Sequence, residues 1–591
     1  MTHSNSYEFW FRFRRFSLWA FVCCLFFLFF GQTLFFFTYP LLTYADQALY
    51  LYCGRLILEG GVPYIDVFDW NPPLVMYLAM IPVLAAKVLQ AIFSNSELLR
   101  YSFPFLSSLS LEILSFNLLT LACGCYSALL SMFLFYRYKG AVSLWLRMPM
   151  LFLFGFYFCG QNYSYGEREH LHFGLILPLL VLRLLRLHGK NISIQHSLAA
   201  ALPASLTLLF KPQFLLAYCA FEVILSLQEF RPQSLQSQQA EVSESQPKAQ
   251  LKSQPESQPK AQLKSQPESQ FKSQVKSLLE KLALSVPLPL RFYRQPEIYC
   301  LLVMVLCYLG WFFFLFPADA RTCYLQEILP MYDSAYGFSR RAFLLLFRAD
   351  SLILQSVSIS FAGLFLGLVL SRRSAFSAAL TAFLAVSLVN YFYGNQVWLY
   401  RLVPCEGAAV LVLGEAIYLY GVSVSRQSRG RLMALSLVYM LFAAFFCAQS
   451  FAYAVNARKL DCSAPLDEVG GRVMMLSGRK DTVLWLGTGI SPGFPAILQC
   501  GLRPGSRYAY SVLAQVNHAM SISPANRAHF EPLFRKMLAQ YKSYILEKKP
   551  RLIVLQTNPM QAFLKQGEID LTAFGYREAE VYGEYSFFVL K

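Results

Sequence analysis

The chain reads as a polytopic α-helical membrane protein that ends in a small α/β domain. Three observations lead there. Of its 591 residues, 56% are hydrophobic and only 14% charged, against about 25% charged in soluble domains. Long uncharged runs recur up to residue 452, which only a membrane protein carries comfortably. After Tyr453 the composition turns soluble and strand-like and helix-like stretches alternate. The net charge of +17 would suit nucleic acid, but Lys and Arg gather in short clusters between apolar runs. That is the pattern of cytoplasmic loops, so the expected partner is the membrane and not nucleic acid.

Arg12, Arg14 and Arg15 precede an apolar run from Ser17 to Thr38. The run is too long for a signal-peptide core and no small-residue cleavage site follows. It reads as a retained anchor with its basic end in the cytoplasm, which puts Tyr44–Leu74 outside. The next run, Pro72–Phe93, is long enough to cross. If it crosses, Arg137, Lys139, Arg183, Arg186 and Lys190 all land outside; if it lies flat or re-enters, they land inside, as the charge rule prefers. It is therefore expected to be a juxtamembrane helix.

Further spans are expected near 114–135, 143–160, 171–187, 195–210, 212–228, 297–317, 351–370, 374–393, 403–424 and 431–452. With the anchor these make about eleven spans in a membrane unit of residues 1–453, and an odd count sends the C-terminus outside. Within that unit, 39–93 is an external loop with juxtamembrane helices. Residues 229–280 form an insert in which Ser245–Glu256, SQPKAQLKSQPE, repeats letter for letter as Ser257–Glu268. A Ser/Gln/Pro/Lys tract of this kind cannot bury enough apolar surface to order itself, so a disordered cytoplasmic loop is expected. Residues 454–591 form the soluble α/β domain, with strands expected at Asp481–Gly487, Arg551–Thr557 and Tyr585–Leu590 and a helix over Ala525–Glu547. LGTGISPG has neither GxGxxG spacing nor a P-loop Lys. A cap over a site opening and a structural appendage are both open roles for the domain. The fourteen cysteines show no CxxC, and most lie in apolar runs; Cys462 and Cys500 pair or stay reduced.

This topology gathers polar residues on the outer face. Asp46, Asp66 and Asp69 lie in Tyr44–Leu74. Gly166–His170 opens one span, Lys211–Gln213 turns between two, Pro317–Arg348 forms a loop, and Asn395–Arg401 precedes another span. Ionisable groups beside a bilayer are costly and tend to be functional. Carboxylates and cations together suit transfer of a sugar from a lipid phosphate. Cations hold the phosphate and stabilise it as leaving group, and a carboxylate takes the proton of the attacking hydroxyl. Asp46 is the candidate base, and Arg168, Lys211 and Arg401 the phosphate clamp, with Tyr400 a further donor. Each has a plainer role beside it. Asp46 also suits a helix N-cap, Asp66 and Asp69 a Pro-rich turn, and Glu167, Arg168 and Glu169 a local ion pair. Lys211 also suits a snorkelling span end. His170 and His172 are not on one helix face and do not suit a metal.

Several stretches, in order, resemble the GT-C membrane glycosyltransferases, among them the protein mannosyltransferases, lipid A aminoarabinose transferases and rhizobial galacturonosyltransferases of the glycosyltransferase family 39 type. Asp46 matches the family's loop-one acid, with Gln47 where a second acid is frequent. Phe68–Leu74 resembles FD-x-x-PPL, with Asn71 where Lys or His is common. Gly166–His170 is similar to Gly-Gln-Arg-Glu-His, with Glu167 for Gln. FKPQF at Phe210–Phe214 resembles a Lys-Pro segment, and QVWLYRLVP at Gln396–Pro404 resembles QGKGW-x-YH-x-x-P, with Arg401 for His. The resemblance spans residues 17 to about 452. It implies a GT-C fold, Asp46 as catalytic base, and Asp66, Asp69, Arg168, Glu169, Lys211, Tyr400 and Arg401 in substrate binding. It further implies a polyprenyl-phosphate sugar donor, a lipid or surface-glycan acceptor, inversion at the anomeric carbon and a bacterial inner membrane. No cofactor is required by the sequence. Some relatives use a divalent cation, Mg or Mn, which Asp46 with Asp66 or Glu169 would hold. The competing class is a non-enzymatic transporter or flippase of lipid-linked sugars. That class more naturally carries internal repeats of broken helices, and this chain shows none.

Overall fold

The computed structural model describes residues 3–38, 45–94, 111–161, 164–229, 295–336, 351–393, 398–427, 468–478, 480–508 and 512–591, with three more between 434 and 438. The first part is helical. It runs through α1 (His3–Thr38), α2 (Ala45–Leu58), α3 (Leu74–Leu78), α4 (Met80–Ser94), α5 (Leu111–Cys159), α6 (Arg168–Leu187), α7 (Ile194–Leu208), α8 (Pro212–Glu229), α9 (Pro296–Gly310), α10 (Ala318–Cys323), α11 (Leu329–Tyr336), α12 (Ser351–Ser371), α13 (Ala375–Tyr393) and α14 (Val403–Gln427). Among the described residues, seven helical stretches are long and apolar enough to cross a membrane, and shorter apolar helices accompany them. The chain is a multi-pass membrane protein.

Every expected span but the last falls on a described helix. The exception, 431–452, lies almost wholly outside the described residues, as does the repeat insert. The anchor begins earlier than expected, at His3. Helix α5 joins two expected spans across a break at Gly140, whose φ of 77° no side chain adopts easily. Leu74–Ile92 is also long and apolar enough to cross. A turn at Ala79 divides it into α3 and α4, and Ile81, Leu84, Val88 and Ile92 form an exposed apolar face on α4.

A single apolar core joins α1, α5–α8 and α12–α14. Small residues set the closest crossings. A Cβ added at Gly363 or Gly367 of α12 would stand 2.3 Å from Ala409 or Thr381. The expected inner basic cluster is partly consumed by pairing. Arg183 is buried and meets Glu222 at 2.8 Å and Glu297 at 3.4 Å, and Arg186 meets Glu297 at 3.1 Å. Two arginines at the end of one helix thus tie α6 to α8 and α9, because a buried charge needs a partner.

The C-terminal part contains α15 (Glu468–Leu476), β1 (Thr482–Leu486), α16 (Gly493–Gln499), β2 (Arg503–Pro504), α17 (Leu513–Ile522), α18 (Pro524–Ser543), β3 (Leu552–Gln556), α19 (Thr557–Gln566), β4 (Tyr576–Tyr582) and β5 (Tyr585–Leu590). The five strands form one mixed sheet in the order β2-β1-β3-β5-β4. β1 runs parallel to β2 and β3, and β5 antiparallel to β3 and β4. The continuous apolar runs of β1 and β3 are buried, as expected of strands covered on both faces.

The sheet domain does not stand apart. Its core is continuous with Leu49, Tyr50, Tyr64, Phe68 and Trp70 of the first loop and with Phe312, Phe316, Ile328 and Met331. That last stretch was expected as a loop from Pro317. Up to Tyr336 it is helical, through α10, a π-helical turn at Tyr324–Ile328 and α11. The reason is packing: Tyr324 stacks on Tyr64 at 4.8 Å and Tyr332 lies 6.2 Å from Trp70.

Candidate active site

Helix α6 starts at Arg168 because Gly166, at φ 79°, turns the chain just before it. His170 fastens that turn. Its Nδ1 accepts the Gly166 N–H at 3.0 Å, so the proton sits on Nε2, which donates to the Phe158 carbonyl at 3.0 Å. The ring lies 4.0 Å from that of Phe158. With both nitrogens engaged, His170 is a structural residue that presents its two neighbours to the site.

Those neighbours diverge rather than pair with each other. Arg168, 2% exposed, donates through Nη2 to Asp46 Oδ2 at 2.7 Å and through Nη1 to Asn71 Oδ1. Its guanidinium lies 5.2 Å from the Tyr50 ring centre. Glu169 accepts from Lys211, and both are buried. Lys211 therefore does not snorkel. Its ammonium also lies 5.6 Å from the Tyr400 ring centre. Arg401 sits over Trp398 at 4.7 Å. With Glu169, His172, Gln213, Asn390 and Tyr391 it lines a cavity of about 20 Å³, room for about one water.

Asp46 lies in the first turn of α2, with its side chain 16% exposed. Gln47, where a second acid was conceivable, is buried and donates to the Tyr165 carbonyl at 3.1 Å. Asp69 reaches the site through Asn71. The Asn71 amide donates to both Asp69 oxygens, at 3.0 and 3.2 Å, and accepts from Arg168. Asn71 carries a donor and an acceptor on one short side chain, so it can bridge an acid and a cation. Asp66 is not brought in. It is exposed, and its Oδ2 accepts from the Val62 N–H at 2.7 Å, closing a turn. Glu327 pairs with Lys536 of the sheet domain at 2.7 Å, and Arg321 donates to the Phe313 carbonyl. Arg340, Arg341, Asn395 and Gln396 lie outside the described residues.

Glu167 was weighed in the sequence only as a local ion-pair partner. It is the N-cap of α6 without a capping bond, and it is buried with one carboxyl oxygen unpartnered. Burial first, and the Asp46 charge second, push its carboxyl well above the usual range, which favours the neutral acid. The inner set then holds Arg168, Lys211 and Arg401 against the carboxylates Asp46 and Glu169. Among the described residues Arg401 has no carboxylate within ion-pair range.

A divalent cation fits this donor set poorly. Among the described residues no three metal-ligating side chains come together. Asp46 and Glu169 each already face a cation, and Asp66 lies apart.

Burial also raises Asp69, from its ordinary 3.8 to about 6, opposed mainly by Arg168. A carboxyl raised by folding binds its proton more tightly in the folded state. Its contribution is full below the unfolded value and is lost as pH rises through about 6. The thermal midpoint is expected to fall more between about pH 4 and about pH 7 in the wild type than in Asp69→Asn. Melting curves in detergent across that range check it, and equal slopes would refute it.

No protein-family model matches the chain, and no curated protein does. Among solved structures, the chain is similar to ArnT from Cupriavidus metallidurans bound to undecaprenyl phosphate. That alignment has a TM-score of 0.49 and 10% identity, and covers 96% of this chain and 97% of that one. It is similar as well to the Archaeoglobus fulgidus oligosaccharyltransferase tethered to an acceptor peptide. There the TM-score is 0.42 and the identity 12%, over 97% of this chain and 74% of that one. Both likenesses are of chain course, and no residue role is carried from either.

Proposed function

We propose that this chain is an integral-membrane glycosyltransferase of the GT-C type. It moves a sugar from a polyprenyl-phosphate donor to a lipid or cell-surface glycan hydroxyl on the extracytoplasmic face of a bacterial inner membrane. The observation that carries this is the buried array in which a partly exposed Asp46 stands against Arg168, beside Lys211 and Arg401. An acid and an excess of cations at one place suit a hydroxyl nucleophile and a phosphate leaving group.

Asp46 takes the proton of the acceptor hydroxyl as its oxygen attacks the anomeric carbon from the face opposite the phosphate. The bond from that carbon to the phosphate oxygen breaks, and the phosphate leaves with the electron pair, so the configuration inverts. Arg168 and Arg401 match phosphate oxygens with two-pronged N–H donors, Lys211 adds a point charge, and the Tyr400 hydroxyl is a further donor. These groups are already oriented by Asn71, Glu169 and Trp398, so little reorganisation accompanies the development of charge. Asp69 supports the array through Asn71 and touches no substrate.

The core that loop one shares with the sheet domain, together with a basic N-terminus expected in the cytoplasm, supports an outer position for both. The test is purified protein in sealed vesicles, offered polyprenyl-phosphate sugars one at a time. A new glycosidic bond is expected only with acceptor on the face that exposes a C-terminal tag. Movement of the donor across the membrane with no new bond would replace this reading with the transporter.

A further inference from the structure

The sheet domain grips loop one through Arg507 and Tyr508, which follow β2. The Phe68 N–H donates to the Arg507 carbonyl at 2.8 Å. Phe68 and Tyr508 form an isolated parallel bridge, with rings 5.5 Å apart. The Arg507 side chain donates through Nη1 to the Tyr64 carbonyl at 3.3 Å and through Nη2 to the Tyr508 hydroxyl at 3.0 Å. That hydroxyl donates in turn to Gln540 of α18 at 2.5 Å.

The bonds continue from Tyr64 into the site. The Tyr64 hydroxyl donates to the Asn71 carbonyl at 2.5 Å, and the Asn71 side chain meets Arg168 and Asp69. Arg168 then holds Asp46 at 2.7 Å. Tyr64 has φ 68°, which a bulky residue keeps only when its surroundings over-determine it. Within the loop, the Tyr64 N–H bond to the Val67 carbonyl at 2.7 Å does part of this. Ile65 and Asp66, at the tip, are exposed and supply no packing. The Tyr64 carbonyl accepts from Cys323 Sγ of α10 at 3.7 Å and, from the sheet domain, from Arg507.

We propose that Arg507 is a positioning residue for the transfer reaction: it fixes the left-handed turn at Tyr64 and so, through Asn71, sets where Arg168 and Asp46 stand. The catalytic half of this rests on the glycosyltransferase reading. The sheet domain is thereby part of the active-site scaffold rather than an appendage.

The test uses full-length Arg507→Ala, Arg507→Lys and Tyr508→Phe in nanodiscs, with two independent readouts. In hydrogen exchange, peptides covering residues 62–71 are expected to exchange roughly tenfold faster in Arg507→Ala, with the remaining helices unchanged. Arg507→Lys recovers part of the protection, since an ammonium can still donate to the Tyr64 carbonyl. Tyr508→Phe keeps the ring on Phe68 and gives an intermediate value. In transfer assays, Arg507→Ala is expected to lower kcat roughly tenfold or more, with donor KM little changed. In an Asn71→Ala background the same substitution adds no further loss, because the route it acts through is already cut. Additive losses in that cycle, or exchange unchanged over 62–71, would overturn the positioning role. Faster exchange in a protein that transfers no sugar would instead keep the grip on loop one and overturn the transferase reading.

Discussion

Asp46→Asn is expected to abolish sugar transfer, by roughly 10²–10⁴-fold, the usual contribution of a positioned general base. The protein is expected to remain folded and inserted. Asparagine preserves the side-chain volume and one carbonyl oxygen, so Arg168 keeps an acceptor for the bond it donates at 2.7 Å. The negative charge facing Arg168 and the capacity to accept a proton are lost, while the hydrogen bond is kept. The alternative role for Asp46, capping its own helix, fits less well, because its side chain is spent on Arg168, 122 residues further along. The measurement is turnover of a polyprenyl-phosphate sugar by the purified variant, with a gel-filtration profile to establish that it is intact. Wild-type turnover would remove Asp46 as the base.

The second large effect separates stability from chemistry at Lys211. Lys211→Met leaves Glu169, 1% exposed, as a buried carboxylate without its cation. Removing one partner of such a pair costs about 3–5 kcal/mol. Replacing both, Lys211→Met with Glu169→Gln, removes the stranded charge and is expected to restore most of the thermal midpoint. Transfer is not restored, because the donor phosphate still lacks the ammonium beside Tyr400. Unfolding midpoints in detergent and donor KM are read on the same preparations. A double variant as active as the wild type would leave Lys211 a purely structural residue. A single variant as stable as the wild type would mean that the pair contributes nothing to folding.

Much of this was legible in the order of residues. Apolar runs of membrane-spanning length are one-dimensional signals, and so are the buried strands β1 and β3: the strands fell within one residue of expectation, and every expected span on described residues fell on a helix. The candidate base, the Arg168–Glu169 pair and Lys211 stood out because charge beside a bilayer is conspicuous. Less conspicuous groups escaped. Tyr50 and Tyr64 are two among 35 tyrosines, and nothing in their spacing marks one as the neighbour of Arg168 or the other as the donor to the Asn71 carbonyl. Asn71 registered only as a departure from a motif, yet it joins Asp69 to Arg168. Asp66 and Glu327 were equally acidic on paper, but one closes its own turn and the other pairs with Lys536.

The sequence by itself determined that this is a multi-pass helical membrane protein with a small α/β domain after it, because hydropathy and periodicity are local properties of the chain. It also placed acids and cations at the ends of particular spans. Only the tertiary structure decided which acid meets which cation. Asp46 with Arg168 and Glu169 with Lys211 are separated by 122 and 42 residues, and neighbours in sequence such as Arg168 and Glu169 were the more obvious partners. It also decided that the sheet domain belongs to loop one, through a bond from Phe68 to Arg507 between residues more than 400 positions apart. Pairings of that kind arise from packing a shared core, and no local pattern encodes them.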